Sequence, residues 1–248
     1  MPYADKGKKI FSRMANGMGT AMLRKAASEF VGTALLLACV VGSGIMGERL
    51  AEGIEGVALL ANTLATGAAL VALILAFGPV SGAHFNPAVT LVDAAFGGLA
   101  WRLVPVYIAA QVAGAFLGVA AANTMFELPL FFPSTHDRTG MSQWLAEFIA
   151  TFGLMSVILG TARTRMAAVP FAVGAYITAA YWFTSSTSFA NPAVTWARSF
   201  SDTFAGIRLA DVPAFVAAQL LGAAAAGLLF RWLIPSTSNP KPRKGSHV

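Results

Sequence analysis

The stretch Ser81-Gly82-Ala83-His84-Phe85-Asn86-Pro87-Ala88-Val89-Thr90 has a shorter echo in Phe189-Ala190-Asn191-Pro192-Ala193-Val194-Thr195, and the pair decides how this chain folds. Asn followed by Pro is a helix-start signal. The Asn side chain can accept from the free amides of a first turn, and Pro at the first helical position gives up no donor that the helix needs. Each triplet, Asn86-Pro87-Ala88 and Asn191-Pro192-Ala193, follows a Gly- or Ser-rich loop and sits between long apolar segments. Two short half-helices starting at corresponding places in two halves of a membrane-embedded chain would bring their positive dipole ends together near the middle of the bilayer.

The surrounding chain is built for lipid. Of 248 residues, 56% are hydrophobic and 11% charged, with a mean hydropathy of +0.67; a soluble domain has about 25% charged residues. Segments near 30–46, 57–77, 104–125, 141–161, 168–183 and 212–234 are long and almost uncharged, close to the roughly 20 residues that cross about 30 Å of hydrocarbon. The expected fold is an all-α membrane protein with six transmembrane helices plus two re-entrant half-helices. Residues 1–28 are polar and basic without an apolar core, so no cleavable signal peptide is expected. The single cysteine, Cys39, excludes an internal disulfide framework.

Six spans put both termini on one side, and thirteen of the seventeen cations fall there, from Lys6, Lys8, Lys9 and Arg13 through Arg163 and Arg165 to Lys241, Arg243 and Lys244. By the positive-inside rule both termini are expected in the cytoplasm, in a multi-pass protein of the inner (plasma) membrane. The net charge of +6 then reflects topology and does not call for a nucleic-acid partner. The expected organisation is a basic cytoplasmic segment over 1–26, a channel domain over 27–234, and a disordered cytoplasmic tail over 235–248.

The internal repeat extends beyond the triplets. Ala27-Ser28-Glu29-Phe30-Val31-Gly32-Thr33 is echoed by Leu145-Ala146-Glu147-Phe148-Ile149-Ala150-Thr151, and Pro105 to Gly114 by Pro213 to Gly222. This divides the domain into repeats over about 27–125 and 141–234. Three spans per repeat is an odd number, so the second copy enters the membrane upside down and one re-entrant loop comes from each side. Small residues, Gly114 and Gly118 or Gly222 and Ala226, are spaced to let spans pack closely around the loops.

Chemistry follows from that placement. Asn86 and Asn191 would each present an amide N–H to a lumen, while the carbonyls of Gly82, Ala83, His84, Ser188, Phe189 and Ala190 form an acceptor ladder on which a permeating hydroxyl exchanges the bonds it makes with water. Helix capping alone would be a plainer role for the two Asn residues, but non-helical backbone at this depth is tolerated chiefly where it lines a cavity. Glu29 and Glu147 lie within spans, and the simpler reading makes each an acceptor for its own loop's amides, supporting the ladder without touching solute. His84 either borders the pore or anchors the loop. His136 and His247 lie in loop and tail, and no metal or cofactor is expected.

In these residues the chain resembles the aquaporin, or major intrinsic protein, family, over about Ala27 to Leu233. Two triplets at matching places of an inverted repeat, with a Glu in the first span of each half and a Gln in the third, carry the resemblance. It implies an aquaporin-like hourglass, usually a homotetramer with one pore per subunit, that passes water or small uncharged solutes passively. It also implies a filter at four positions: twenty residues before the first Asn, twelve and three before the second, and three after it, which here are Thr66, Ala179, Ser188 and Val194. A typical aquaporin has an aromatic at the first and an Arg at the last; this chain has neither, so a wide, arginine-less opening is expected. Arg198 lies four residues beyond Val194 on the same helical face. It is either a displaced gate charge in the outer vestibule or, more simply, paired with Asp202 or solvated. Asp93 either faces the inner mouth or pairs with Arg102.

The resulting expectation is a channel for water, glycerol and metalloid acids such as arsenous acid, As(OH)3, resembling bacterial arsenite-conducting members; a water, ammonia or urea channel is the alternative within the family. Outside it, a secondary transporter would need a titratable group near the midplane, and apart from Glu29 and Glu147 the central spans offer none. An enzyme would need an assembled nucleophile or metal cluster, which the chain lacks. A structural membrane protein would conduct nothing.

Overall fold

Val104-Pro105, Val169-Pro170 and Val212-Pro213 each place a proline in the first turn of a helix, where its missing N–H costs nothing, and each follows a single 3-10 turn. Together with the two Asn-Pro starts, these signals fix five of the helix beginnings. The computed structural model describes residues 3–234, with side chains described from residue 19 onward. The expected tail over 235–248, with Lys241, Arg243, Lys244 and His247, lies outside the described residues, as do the side chains of Lys6, Lys8, Lys9 and Arg13.

The first repeat consists of α1 (Tyr3–Leu50), α2 (Glu55–Ser81), the half-helix α3 (Pro87–Ala95) and α4 (Val104–Met125). The second consists of α5 (Met141–Thr164), α6 (Val169–Phe183), the half-helix α7 (Pro192–Arg198) and α8 (Val212–Leu233). Among the described residues there are six helical stretches long and apolar enough to cross a membrane. The fold is therefore all-α, with six spans and two half-helices. The helix α1 is continuous from Tyr3 to Leu50, with no proline after Pro2 to interrupt it.

Close approaches hold the repeats together. A Cβ on Gly114 would strike the carbonyl of Phe30, one on Gly118 that of Ala34, and one on Gly222 that of Phe148, so α1 and α4, and likewise α5 and α8, touch backbone to backbone. Between the repeats α2 meets α6 in the same way, where a Cβ on Gly174 would fall 2.7 Å from the carbonyl oxygen of Gly67. Apolar clusters fill the space around both half-helices: Leu37, Val41, Val119 and Ala193 on one side, and Ala88, Val92, Met155 and Ala226 on the other. Arg231, at the end of α8, donates to the carbonyl of Ala95 at 2.7 Å, closing the last turn of α3 with a cation at the negative end of its dipole.

Candidate functional site

Both loops that enter the bilayer run through left-handed backbone at equivalent positions. In the first, Gly82, Ala83 and Phe85 have φ of 93°, 50° and 49°; in the second, Thr187, Ser188 and Ala190 have φ of 60°, 50° and 48°. For residues with a Cβ this conformation costs about 1–2 kcal/mol each, and it survives only if the surroundings hold it. Two buried carboxylates do so with matching sets of bonds. Glu29 accepts from the Ser81 hydroxyl at 2.7 Å, the amides of His84 and Phe85 at 3.0 and 2.7 Å, and the Gln111 amide at 2.8 Å. Glu147 accepts from the Ser186 hydroxyl at 2.6 Å, the amides of Phe189 and Ala190 at 2.9 Å each, and the Gln219 amide at 2.6 Å. Gln111 and Gln219 donate again to Thr90 and Thr195, whose hydroxyls donate to the carbonyls of Asn86 and Asn191. Both carboxylates are fully buried and neither lines the central cavity.

The two half-helices meet through their caps. Asn86 Oδ1 accepts from the amide of Ala88, and Asn191 Oδ1 from those of Ala193 and Val194. Each Nδ2 then reaches across the pseudo-two-fold axis: Asn86 donates to the carbonyl of Ala190 and Asn191 to that of Phe85, both at 2.8 Å. An amide nitrogen carries two hydrogens, so each side chain has one donor left beside the cavity that both line. The Ala190 carbonyl is engaged by Asn86, whereas those of Gly82, Ala83, His84, Ser188 and Phe189 accept from no described residue.

These elements enclose a cavity of about 320 Å³. One wall is formed by the loops, from Gly82 to Asn86 and from Ser188 to Asn191; the other is aliphatic, with Leu70, Ile74, Ile158, Val173 and Ile177. Pro87, Ala88, Pro192 and Ala193 form the first turns behind the two Asn residues. Of the four filter positions, Thr66, Ser188 and Val194 line the cavity. Ala179 does not. It lies exposed on the outer side of α6, and the cavity-facing stripe of that helix is Val169, Val173, Ile177 and Tyr181, spaced by one turn. Tyr181, 3% exposed, donates to the hydroxyl of Thr66 at 3.3 Å and fills the place assigned to Ala179. That i, i+4 stripe was readable in the sequence and outweighs a count from the triplet. Consequently Ala179→Leu is expected to leave the ratio of water to glycerol permeability unchanged in proteoliposomes, and a shift in that ratio would return Ala179 to the pore.

Of the two places open to Arg198, solvation or a pair with Asp202 is the one that fails. Arg198 is 2% exposed and lines the cavity, so it is neither solvated nor paired with Asp202. The Asp202 carboxylate instead accepts from Thr135, with its amide at 2.8 Å, and from Ser134. The guanidinium of Arg198 lies 3.4 Å above the ring of Phe189, and its Nε donates to the carbonyl of Ala205. A valine stands at 194, and a guanidinium borders the cavity one turn beyond it.

Arg138 went unnoticed in the sequence, where it reads as one more loop cation. It is buried, with its guanidinium 4.9 Å from the centroid of the same Phe189 ring, and donates to the carbonyls of Gly206 and Ser186. Burial pushes its pKa down to about 10, against the pull of Glu147, so it stays charged at neutral pH. Tyr107, likewise unflagged, donates to the Ser81 carbonyl at 2.8 Å and secures the first loop. At the end of the cavity near the chain termini, His84 both lines the lumen and contacts Thr90 at 3.1 Å through Nδ1. Asp93 lines the same mouth, and its carboxylate lies 3.5 Å from His84 Nε2, in place of Arg102. Among the described residues no cluster of His, Cys, Asp or Glu could hold a metal.

A family model, Major intrinsic protein, matches residues 18–184. The chain belongs to the major intrinsic protein family. Its members are channels, so this is a channel for small solutes and water and not an enzyme. The channel is 56% identical to Aquaglyceroporin AqpS of Rhizobium meliloti (strain 1021) over 86% of this chain and 91% of that one. It is 31% identical to Aquaporin NIP1-3 of Oryza sativa subsp. japonica over 95% of this chain and 82% of that one. Its fold matches the aquaglyceroporin of Plasmodium falciparum with a TM-score of 0.67 at 19% identity, over 84% of this chain and 95% of that structure.

Proposed function

We propose that this channel conducts small uncharged hydroxylated solutes, with glycerol and As(OH)3 as the natural candidates, together with water. The reading is supported by the cavity lining: Gly82, Ala83, His84, Ser188 and Phe189, whose carbonyls accept no bond from a described residue, and the two Asn residues share the cavity with Leu70, Ile74, Ile158, Val173 and Ile177. A polyol can turn its hydroxyls to the ladder and its carbon edge to the Leu and Ile side chains, so it loses its hydration shell without leaving polar groups unpaired. The similarity to an aquaglyceroporin over most of both chains points the same way. A proton-coupled transporter is disfavoured because Glu29 and Glu147 are each saturated by four donors away from the lumen. The excess of cations on the side of the termini supports a cytoplasmic location for both, in the inner (plasma) membrane. Exposed apolar side chains along the spans suit lipid and neighbouring copies, as in a homotetramer.

The test is a stopped-flow panel of water, glycerol, urea, ammonia and arsenite on proteoliposomes. Glycerol and arsenite should shrink or enter vesicles faster than in empty controls, with no dependence on a proton gradient. Water flux with none of the larger neutral solutes would sink the hydroxylated-solute reading, and gradient-dependent uptake would replace the channel with a transporter.

A further inference from the structure

The end of the cavity near the chain termini carries two side chains whose hydrogen bonds are incomplete: His84 in the first loop and Asp93 on α3. We propose that His84 Nε2 and the Asp93 carboxylate form a paired-acceptor station at this mouth, which takes O–H hydrogens from a neutral polyol or hydroxylated acid as it passes; the assignment rests on the channel reading above. Three observations carry it. First, the hydrogens around the His84 ring can be assigned. The Thr90 hydroxyl donates to the carbonyl of Asn86 at 3.0 Å and accepts from Gln111 at 2.9 Å. Thr195 makes the same two bonds, to Asn191 and from Gln219, at 2.8 Å each, although Phe189 stands at the His84 position of its repeat. The hydroxyl hydrogen is therefore spent with or without an imidazole, so the hydrogen in the 3.1 Å contact between Thr90 and His84 belongs to Nδ1. A neutral ring protonated on Nδ1 has a bare lone pair on Nε2.

Second, Nε2 faces another acceptor. Asp93 Oδ2 lies 3.5 Å away, beyond ordinary hydrogen-bond length, and the carboxylate accepts from no described residue. Two acceptors side by side call for a donor from the lumen. Third, Gly98 makes room for the carboxylate, because a Cβ there would strike Asp93 Oδ1. The charges around the pair decide when it is open. Lys25 on α1 lines the same mouth and opposes charging of the ring, while Tyr107 on α4 packs against the ring with its hydroxyl committed to the Ser81 carbonyl. Glu29 and Asp93 both favour a charged ring, but Glu29 is spent on four donors away from the lumen, so a proton on Nε2 is held by Asp93. With the ring neutral, the two acceptors can receive adjacent hydroxyls of one molecule and replace the water it sheds on entry. Once the ring takes up a proton, Nε2–H turns to Asp93 and the two close on each other.

The experiment measures glycerol and water flux in proteoliposomes for parent, Asp93→Leu, Asp93→Asn and Gly98→Ala channels, at about pH 8 and about pH 5. At the higher pH the glycerol-to-water ratio should fall about threefold or more in Asp93→Leu, the scale of one lost hydrogen bond. Asp93→Asn keeps the shape but turns an N–H to Nε2, so its ratio should fall as far. Gly98→Ala displaces the carboxylate without removing its charge and should lower the ratio likewise, which decides the matter if the Asp93 variants fail to insert. Acid should lower the parent ratio, because Nε2–H and Asp93 then satisfy each other, and should leave the Asp93 variants where they were. A parent-like ratio at the higher pH in the Asp93 variants, or in Gly98→Ala when those fail to insert, overturns the station. A ratio lost in Asp93→Leu and kept in Asp93→Asn also overturns it, because shape and polarity then suffice without the acceptor pair. A parent indistinguishable from empty vesicles for both water and glycerol overturns the channel reading itself.

Discussion

Replacing Glu147 by Leu is expected to abolish conduction and lower the melting temperature of the detergent-solubilised channel by more than any other single change considered. The carboxylate accepts four hydrogen bonds, from Ser186, Phe189, Ala190 and Gln219, at 2.6–2.9 Å, in a fully buried site. Leucine leaves all four donors without an acceptor, at about 1–3 kcal/mol each. The left-handed Ala190 loses its acceptor, and Ser188 loses the support of the Ser186 hydroxyl that Glu147 orients, so the loop is no longer held in its conformation. Glu147→Gln is a milder probe: it preserves shape but turns a donor toward two of the four partners, so it should sit between parent and leucine in both stability and flux. Thermal unfolding and stopped-flow water permeability check the ordering. A leucine variant with parent-like flux would show that the loop is held by packing and that the carboxylate is dispensable.

The second large effect is expected for Asn191→Asp. Asn191 lies where two half-helix N-termini, each carrying roughly half a positive charge, meet at the lumen. Its Nδ2 donates to the Phe85 carbonyl at 2.8 Å while Oδ1 accepts from Ala193 and Val194. A carboxylate keeps the helix cap but faces the Phe85 oxygen with another oxygen, and it offers a permeating cation the anionic partner that the lumen otherwise withholds there. Proton and sodium leak in proteoliposomes should rise about tenfold or more, a lowering of the barrier by about 1.4 kcal/mol per factor of ten. Neutral-solute flux should fall, because the cross-link between the loops is weakened. A parent channel that already leaks protons as fast as it passes neutral solutes would mean that the central dipoles do not provide the exclusion.

The sequence alone determined what short-range chemistry controls. Asn-Pro starts, Val-Pro starts and uninterrupted apolar segments act within a few residues of themselves, so the helices, their number and the inverted repeat could be read directly. The roles of Glu29 and Glu147 were legible for a related reason: an ionisable side chain in a span must find polar partners, and the nearest non-helical amides belong to the loops of the same repeat. What only the tertiary structure decided is which face of each element turns to the lumen and what a long side chain meets at its end. A fixed spacing from the triplet pointed to Ala179, but the rotation of α6 against α2 presents Tyr181 instead, because Gly67 and Gly174 set that contact. Arg198 and Asp202 are four residues apart, yet the helix stops at Arg198, so Asp202 turns to the loop carrying Thr135 and the guanidinium is left to the Phe189 ring and the cavity. Arg138 gives no local signal at all, since its partners Ser186, Gly206 and Phe189 come from 48 or more residues away and are assembled only when the loops fold over the half-helix.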